Sequence, residues 1–197
     1  MKPVEPLGGH TLTGRFIALE PLEARHHDGL VAAARDPAIF AYMPFDTSKG
    51  FASRLGYFTD EHASGRMAVF VVRRLSDGEI VGSTAYLNIA PQDAKVEIGS
   101  TWYRPDVQAG FVNPEAKYLL LANAFARGWN RVEFKTDSKN ARSRAALKKL
   151  GAAEEGILRG HMWMPQGYFR DSVYFSILAS EWPRVKEGLE ERLKAFA

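Results

Sequence analysis

The stretch RPDVQAGFVNPEAK, residues 104–117, combines features that let a main chain hold an anion. Ala109 and Gly110 are small enough for a ligand to approach the backbone. Asn113, Pro114 and Glu115 then read as a polar cap, a first helical residue and an acid facing the positive end of a helix dipole. The first four N–H groups of such a helix have no internal acceptor, and with the dipole they attract phosphate oxygens. A bare turn between two core elements, with Phe111 turned inward, is the competing reading. A second constellation lies in NARSRAALKKLG, where Ser143, Ala146, Leu147 and Leu150 are spaced i, i+3, i+4, i+7 and share one helical face. The Ser143 hydroxyl on that face either backs up the helix cap or lines a cleft. Around it, FKTDSKNARSRAALKK carries six basic residues against Asp137, which gives either a solvated face or a site for a polyanion.

The elements that must hold these groups follow from periodicity and breakers. TGRFIALEPL reads as a strand, and EARHHDGLVAAARDP and TSKGFASRLGYFTDEHASG read as helices stopped at Pro37 and Gly65. MAVFVVRR and EIVGSTAYLNI are strands joined through Asp77-Gly78, a hairpin signal, and KVEIGSTWY continues the meander. The helix after residue 113 closes at Gly128. NRVEFKT alternates Val132 and Phe134 with Glu133 and Lys135 as a strand does, and a second capped helix runs from Asn140 to Gly151. Two strands, AEEGILRGHMW and DSVYFSIL, and the amphipathic segment SEWPRVKEGLEERLKAFA complete the order β-α-α-β-β-β-α-β-α-β-β-α.

Composition narrows the function classes. With 197 residues and 46% hydrophobic content the chain supports one substantial core, and one domain over residues 1–197 is expected. The N-terminal MKPVEPLGGHTLTGR lacks the apolar run of a secretion signal, and no run approaches the ~18 residues of a membrane span, so a cytoplasmic protein without membrane partners is expected. Cysteine is absent, which removes thiolate nucleophiles and Cys-type zinc sites. His26 and His27 are adjacent on a helix and do not share a face, so no metal is expected there. A net charge of +3 with mixed signs does not indicate nucleic acid, and the basic KNARSRAALKK helix lacks an aromatic ladder or a base-reading motif.

The order of elements and the two capped helices resemble the GCN5-related N-acetyltransferases, within them the branch of the ribosomal-protein acetyltransferases RimJ and RimL. The resemblance covers nearly the whole chain and is carried most specifically by VEIGSTWYRPDVQAGFVNPEAKYLLLANAF and NARSRAALKKLGAAEEGILR. It implies an α+β fold: a mixed, mostly antiparallel sheet of about seven strands flanked by helices, with a splayed strand pair for acetyl-coenzyme A. The family loop Gln/Arg-x-x-Gly/Ala-x-Gly/Ala, which holds the pyrophosphate, maps onto Gln108, Ala109, Gly110, Phe111, Val112 and Asn113. Phe111 and Asn113 depart from the small residues of the pattern. The pantetheine arm would pair with strand backbone along STWYR, which makes Trp102, Tyr103 and Arg104 contact candidates. By the same resemblance Asn140 reaches the pantetheine or acetyl end, and Arg142, Arg144 and Lys148 approach the nucleotide phosphates.

The chemistry so implied is direct attack of a neutral amine on a thioester, which requires a route for the amine proton and donors for the developing oxyanion. Glu97 matches a family carboxylate and is the candidate base. Strand parity also allows it to be a surface residue, since it faces away from Val96 and Ile98. His161, with an unperturbed pKa near ~6.5, is an alternative base or a partly buried strand residue. Where many relatives place a Tyr to protonate the leaving thiolate, this chain has Leu147, and Ser143 one turn earlier is the substitute. FAYMPFDTS and HMWMPQGYFRDS are the expected acceptor-binding segments, with Tyr42, Phe45, His161, Trp163 and Tyr168 as contacts or as packing. The expected function is acetyl transfer to a primary amine, a protein N-terminus or a small molecule, by a monomer or a homodimer. A non-catalytic acyl-coenzyme A binding module is the alternative.

Overall fold

The computed structural model of the chain describes residues 3–46, 48 and 50–196; Thr47, in one expected acceptor-binding segment, and Lys49, in an expected helix, lie outside them. The first expected strand is two strands, β1 (Leu12–Thr13) and β2 (Ile17–Pro21), so the sheet has eight strands where about seven were expected. The turn between them is set by a buried carboxylate. Glu115 accepts the N–H groups of Arg15, Phe16 and Ile17 at 2.6, 2.9 and 2.8 Å. A Cβ on Gly14 would stand 2.6 Å from that carboxyl group, so only glycine lets the chain pass.

A 3₁₀ turn at Ala24–His26 leads into α1 (His27–Ala33), which ends four residues before Pro37; that proline opens a further 3₁₀ turn. Helix α2 (Ala52–Ala63) follows. Then come β3 (Ala68–Arg74), β4 (Ile80–Ala90) and β5 (Lys95–Tyr103), with Gly78 at φ +74° in the expected hairpin. Next are α3 (Val112–Ala126), β6 (Arg131–Asp137), α4 (Ala141–Leu150), β7 (Ala153–Met164), β8 (Tyr168–Leu178) and α5 (Trp182–Lys194). Strand order is β1-β2-β3-β4-β5-β6-β8-β7, with every neighbour antiparallel except β5 and β6. No helix among the described residues is long and apolar enough to cross a membrane.

Two apolar clusters cover different parts of the sheet. One joins Leu120 and Leu121 of α3, Leu147 and Leu150 of α4 and Val185 and Leu189 of α5 to Phe70, Val132, Phe134, Val173, Phe175 and Ile177 on one face. The other packs Leu30, Phe40, Phe51, Leu55 and Phe58 against Val69, Val71, Ala85 and Trp102 on the opposite face. Each large side chain so buried contributes about 1.5–3 kcal/mol. Residues of β6, β7 and β8 take no part in the second cluster, so their face on that side is left to polar groups.

The ends of α4 are set by neighbours in sequence, as expected. Asn140 caps α4 through its side chain to the Ser143 N–H at 3.0 Å, and Gly151 ends the helix at φ +94°. Helix α3 differs from expectation. Its cap position is Phe111, Asn113 and Pro114 are its second and third residues, and no side chain caps it.

Candidate functional site

At the start of α3 the main chain is unpaired. Gln108 donates its N–H to Pro105 and Glu115 donates to Phe111, but the N–H groups of residues 109–113 find no acceptor among the described residues. Ala109 adopts φ +63°, an uncommon conformation for a residue with a Cβ, and bends the loop tightly. The first N–H groups of a helix have no internal acceptor, so a run of unpaired donors at a helix start is a receptor for anionic oxygens. The Phe111 ring packs on Phe16, in the turn before β2, at 4.8 Å and on Phe196, past the end of α5, at 5.9 Å between centroids. Gln108 donates to the Tyr103 carbonyl and accepts from Arg142 of α4, which links the loop to the second capped helix.

Beside that loop the sheet opens. Strands β5 and β6 pair only at Lys95–Arg131, Val96–Val132 and Glu97–Glu133, while β5 runs on to Tyr103 and β6 to Asp137. Past Glu97 the two strands part, and their facing backbone groups lack a strand partner. Ser100, at φ +47°, lies just beyond the parting. Lys117 of α3 enters from the helical side: its Nζ lies 3.2 Å from Thr101 Oγ1 on β5 and 5.6 Å from the centre of the Phe134 ring on β6. Burial without a counter-charge pulls this amine down to about 7.

On the other face, the far end of the cleft is polar. Glu97 is buried, 3% exposed, which excludes an ordinary surface residue. Its Oε2 accepts from Asn88 Nδ2 at 2.7 Å and lies 3.5 Å from Lys135 Nζ. Oε1 has no hydrogen-bond partner among the described residues and remains open to an incoming proton. Alternation along β6 and β8 brings Lys135, Asp137, Arg170, Ser172 and Tyr174 to the same face. Asp137 accepts from the Tyr168 hydroxyl, and Lys139 lies 3.8 Å from the Tyr168 ring. His161 bonds Ser172 Oγ at 2.9 Å; its imidazole is held below the usual histidine value by desolvation, then by Lys135 and Arg170.

Several expected contacts go elsewhere. Phe45 packs on Phe40, so its ring is not free to wall a cleft; the Trp102 ring is buried in the second core against Phe40 and Phe51, which leaves only the backbone of that residue for the expected contact. Tyr103 is buried with its hydroxyl unpartnered, its phenol pushed well above the ordinary value by burial. Arg104 is spent on Glu79 and Asp106. Arg144 and Lys148 both pair with Glu154. Of the proposed Ser143 face, Leu147 and Leu150 are buried, Ser143 is half-buried and Ala146 is exposed. Tyr42 and Trp163 are exposed, and Trp163 stacks edge-on with Phe169 at 5.0 Å. Lys117, Asn88, Lys135 and Arg170 were missed. Strand parity marks the face of Arg170, but only the fold shows which groups meet there.

A family model for the acetyltransferase (GNAT) domain matches residues 17–153. Over 109 residues the chain is 31% identical to the Bacillus subtilis (strain 168) protein named "Putative ribosomal N-acetyltransferase YdaF", a match covering 55% of this chain and 58% of that relative. The crystal structure of a GCN5-related N-acetyltransferase from Brucella melitensis is 30% identical, with a TM-score of 0.88, covering 97% of this chain and 88% of that one. Mycobacterium smegmatis RimJ, solved in complex with CoA-disulfide, has the same fold: TM-score 0.76 at 23% identity, covering 96% and 92% of the two chains. The opened strand pair beside an unpaired helix start thus lies in a sheet of known type, and the chain belongs to the acetyltransferase (GNAT) domain family.

Proposed function

We propose that residues 1–197 act as one cytoplasmic domain that transfers an acetyl group from acetyl-coenzyme A to a primary amine, a protein N-terminus or a small molecule. The observation that carries this reading is the run of five unpaired N–H groups, residues 109–113, at the mouth of the parted β5 and β6. The backbone there would hold a diphosphate, with Gln108 and Arg142 at its edge, and the free strand edges would pair with an extended amide-bearing arm. Acetyl-coenzyme A would supply an activated acyl carbonyl. Glu97 Oε1 would take the proton of the amine, directly or through water, while Asn88 and Lys135 fix the other oxygen. Asn140, held by its cap bond, orients the first turn of α4, where the Ser143 hydroxyl holds a proton for the departing sulfur.

The acceptor is supported as a protein by the ribosomal name of the Bacillus relative. Leu147, buried where a phenol would otherwise stand on α4, favours the second reading, an acyl-coenzyme A binding module without turnover. Release of free thiol from acetyl-coenzyme A across a panel of amines and N-terminal peptides separates the two. Saturable binding by calorimetry together with thiol release supports transfer; binding without release leaves only the module, and no heat at millimolar donor overturns both.

A further inference from the structure

Arg170 is 4% exposed, and its Nε is fully buried with no hydrogen-bond partner. Its guanidinium makes no hydrogen bond or ion pair among the described residues. The cations of β6 and of the turn that follows it are engaged: Arg131 with Glu133 and Glu155, Lys135 with Glu97, and Lys139 against the Tyr168 ring. The two further arginines with an orphaned Nε differ as well, since Arg54 lies over the Phe45 and Tyr57 rings and Arg144 pairs with Glu154. The carboxylates whose charge Arg170 feels are Asp137 and Glu97. Neither makes an ion pair with Arg170: Asp137 is held by the Lys139 N–H and the Tyr168 hydroxyl, and Glu97 holds Asn88 and Lys135 through its Oε2 alone. A buried guanidinium with unsatisfied donors is costly, and its planar fork matches a carboxylate in two parallel bonds.

Charge counting points the same way. Arg170 and Lys135 balance Glu97 and Asp137, so an arriving ammonium alone would leave the face one positive charge in excess. A carboxylate carried by the same molecule restores neutrality. We infer that Arg170 is a carboxylate-binding subsite for the acceptor, which carries an acidic group close to its reacting amine. The inference rests on the acetyltransferase reading for what arrives there, but not for the existence of the subsite. Two sources have this chemistry: a free amino acid, and a peptide whose first residues include Asp or Glu.

The test uses matched pairs: amino acids against their carboxamides, and peptides beginning with Asp or Glu against those beginning with Asn or Gln. A charge-assisted pair is worth about 1.5–3 kcal/mol, so the acidic member of the preferred pair should have a kcat/KM roughly 10–100 times higher in the wild type. Arg170→Met should bring the ratio close to one, and Arg170→Lys should keep part of it. Which pair shows the preference identifies the source. Equal rates within every pair, or a preference that survives Arg170→Met, would overturn the subsite. Calorimetry of the same pairs with the wild-type protein reads the preference without turnover and without a variant. A preference there with no thiol release from any amine would keep the subsite and reject acetyl transfer.

Discussion

Across β2 to β5 both faces of the sheet are covered, by α3 and its neighbours on one side and by α1, α2 and their aromatic cluster on the other, and β3 reads as the apolar run AVFVV. Across β6, β8 and β7 one face packs on α4 and α5, while the other carries Arg131, Glu133, Lys135, Asp137, Arg170, Tyr174 and His161. The edge strand β7 is exposed over nearly its whole length. In the covered half a buried polar group is an exception settled by a local bond, such as Ser83 Oγ donating to the Phe70 carbonyl at 3.0 Å. In the open half two charged groups, Asp137 and Arg170, are buried. The boundary between the halves is the parting of β5 and β6, and the proposed chemistry sits there because apolar packing stops there.

Lys117, at that boundary, should show the largest effect. An amine of ordinary value 10.5 held at about 7 binds fewer protons folded than unfolded, so wild-type stability declines as pH falls from about 10.5 to about 7 and loses nothing further below. Lys117→Met removes this dependence, and its stability advantage in urea unfolding should widen down to pH 7, with an upper bound of roughly 5 kcal/mol. An advantage that does not change with pH would mean the amine is not desolvated. In the covered half, Phe70→Ala should cost about 3–5 kcal/mol in the same assay. Tyr174→Phe, on the open face, should cost less than about 0.5 kcal/mol; similar losses at both sites would erase the distinction between the halves.

Activity sharpens the contrast from the other side. Glu97→Gln should lower kcat by about 100-fold or more, since the amide cannot take the amine proton. An unchanged kcat would make Glu97 structural. The smallest effect is expected at Ser143→Ala, where losing one neutral hydrogen bond lowers kcat by roughly 2–10-fold with the Kd for acetyl-coenzyme A unchanged. A weakened Kd at constant kcat would move Ser143 from the chemistry to donor binding.

How much was legible follows the range of the forces involved. The Asn140 and Gly151 ends of α4, the Asp77-Gly78 turn and the alternation of β6 are decided by neighbours a few residues apart, and each was read from the chain. The false cap at Asn113 has a specific cause. The buried Glu115 carboxylate is bonded to residues 15–17, about a hundred positions away, and the helix begins at Val112 without a polar side chain over its first turn. Phe45 illustrates the same gap, because whether an aromatic ring walls a cleft or fills a core depends on what packs against it.

By itself the sequence determined the order of strands and helices, the small residues that bend the loop before α3, and a family likeness strong enough to name a chemistry, because caps, turns and periodicity act through local hydrogen bonds and sterics. Only the tertiary structure decided where β5 and β6 separate, that Glu97 is buried with one oxygen open, and that Arg170 has no partner. Those outcomes depend on which distant strands and helices share a face, and desolvation acts on a charge only once its surroundings have closed around it.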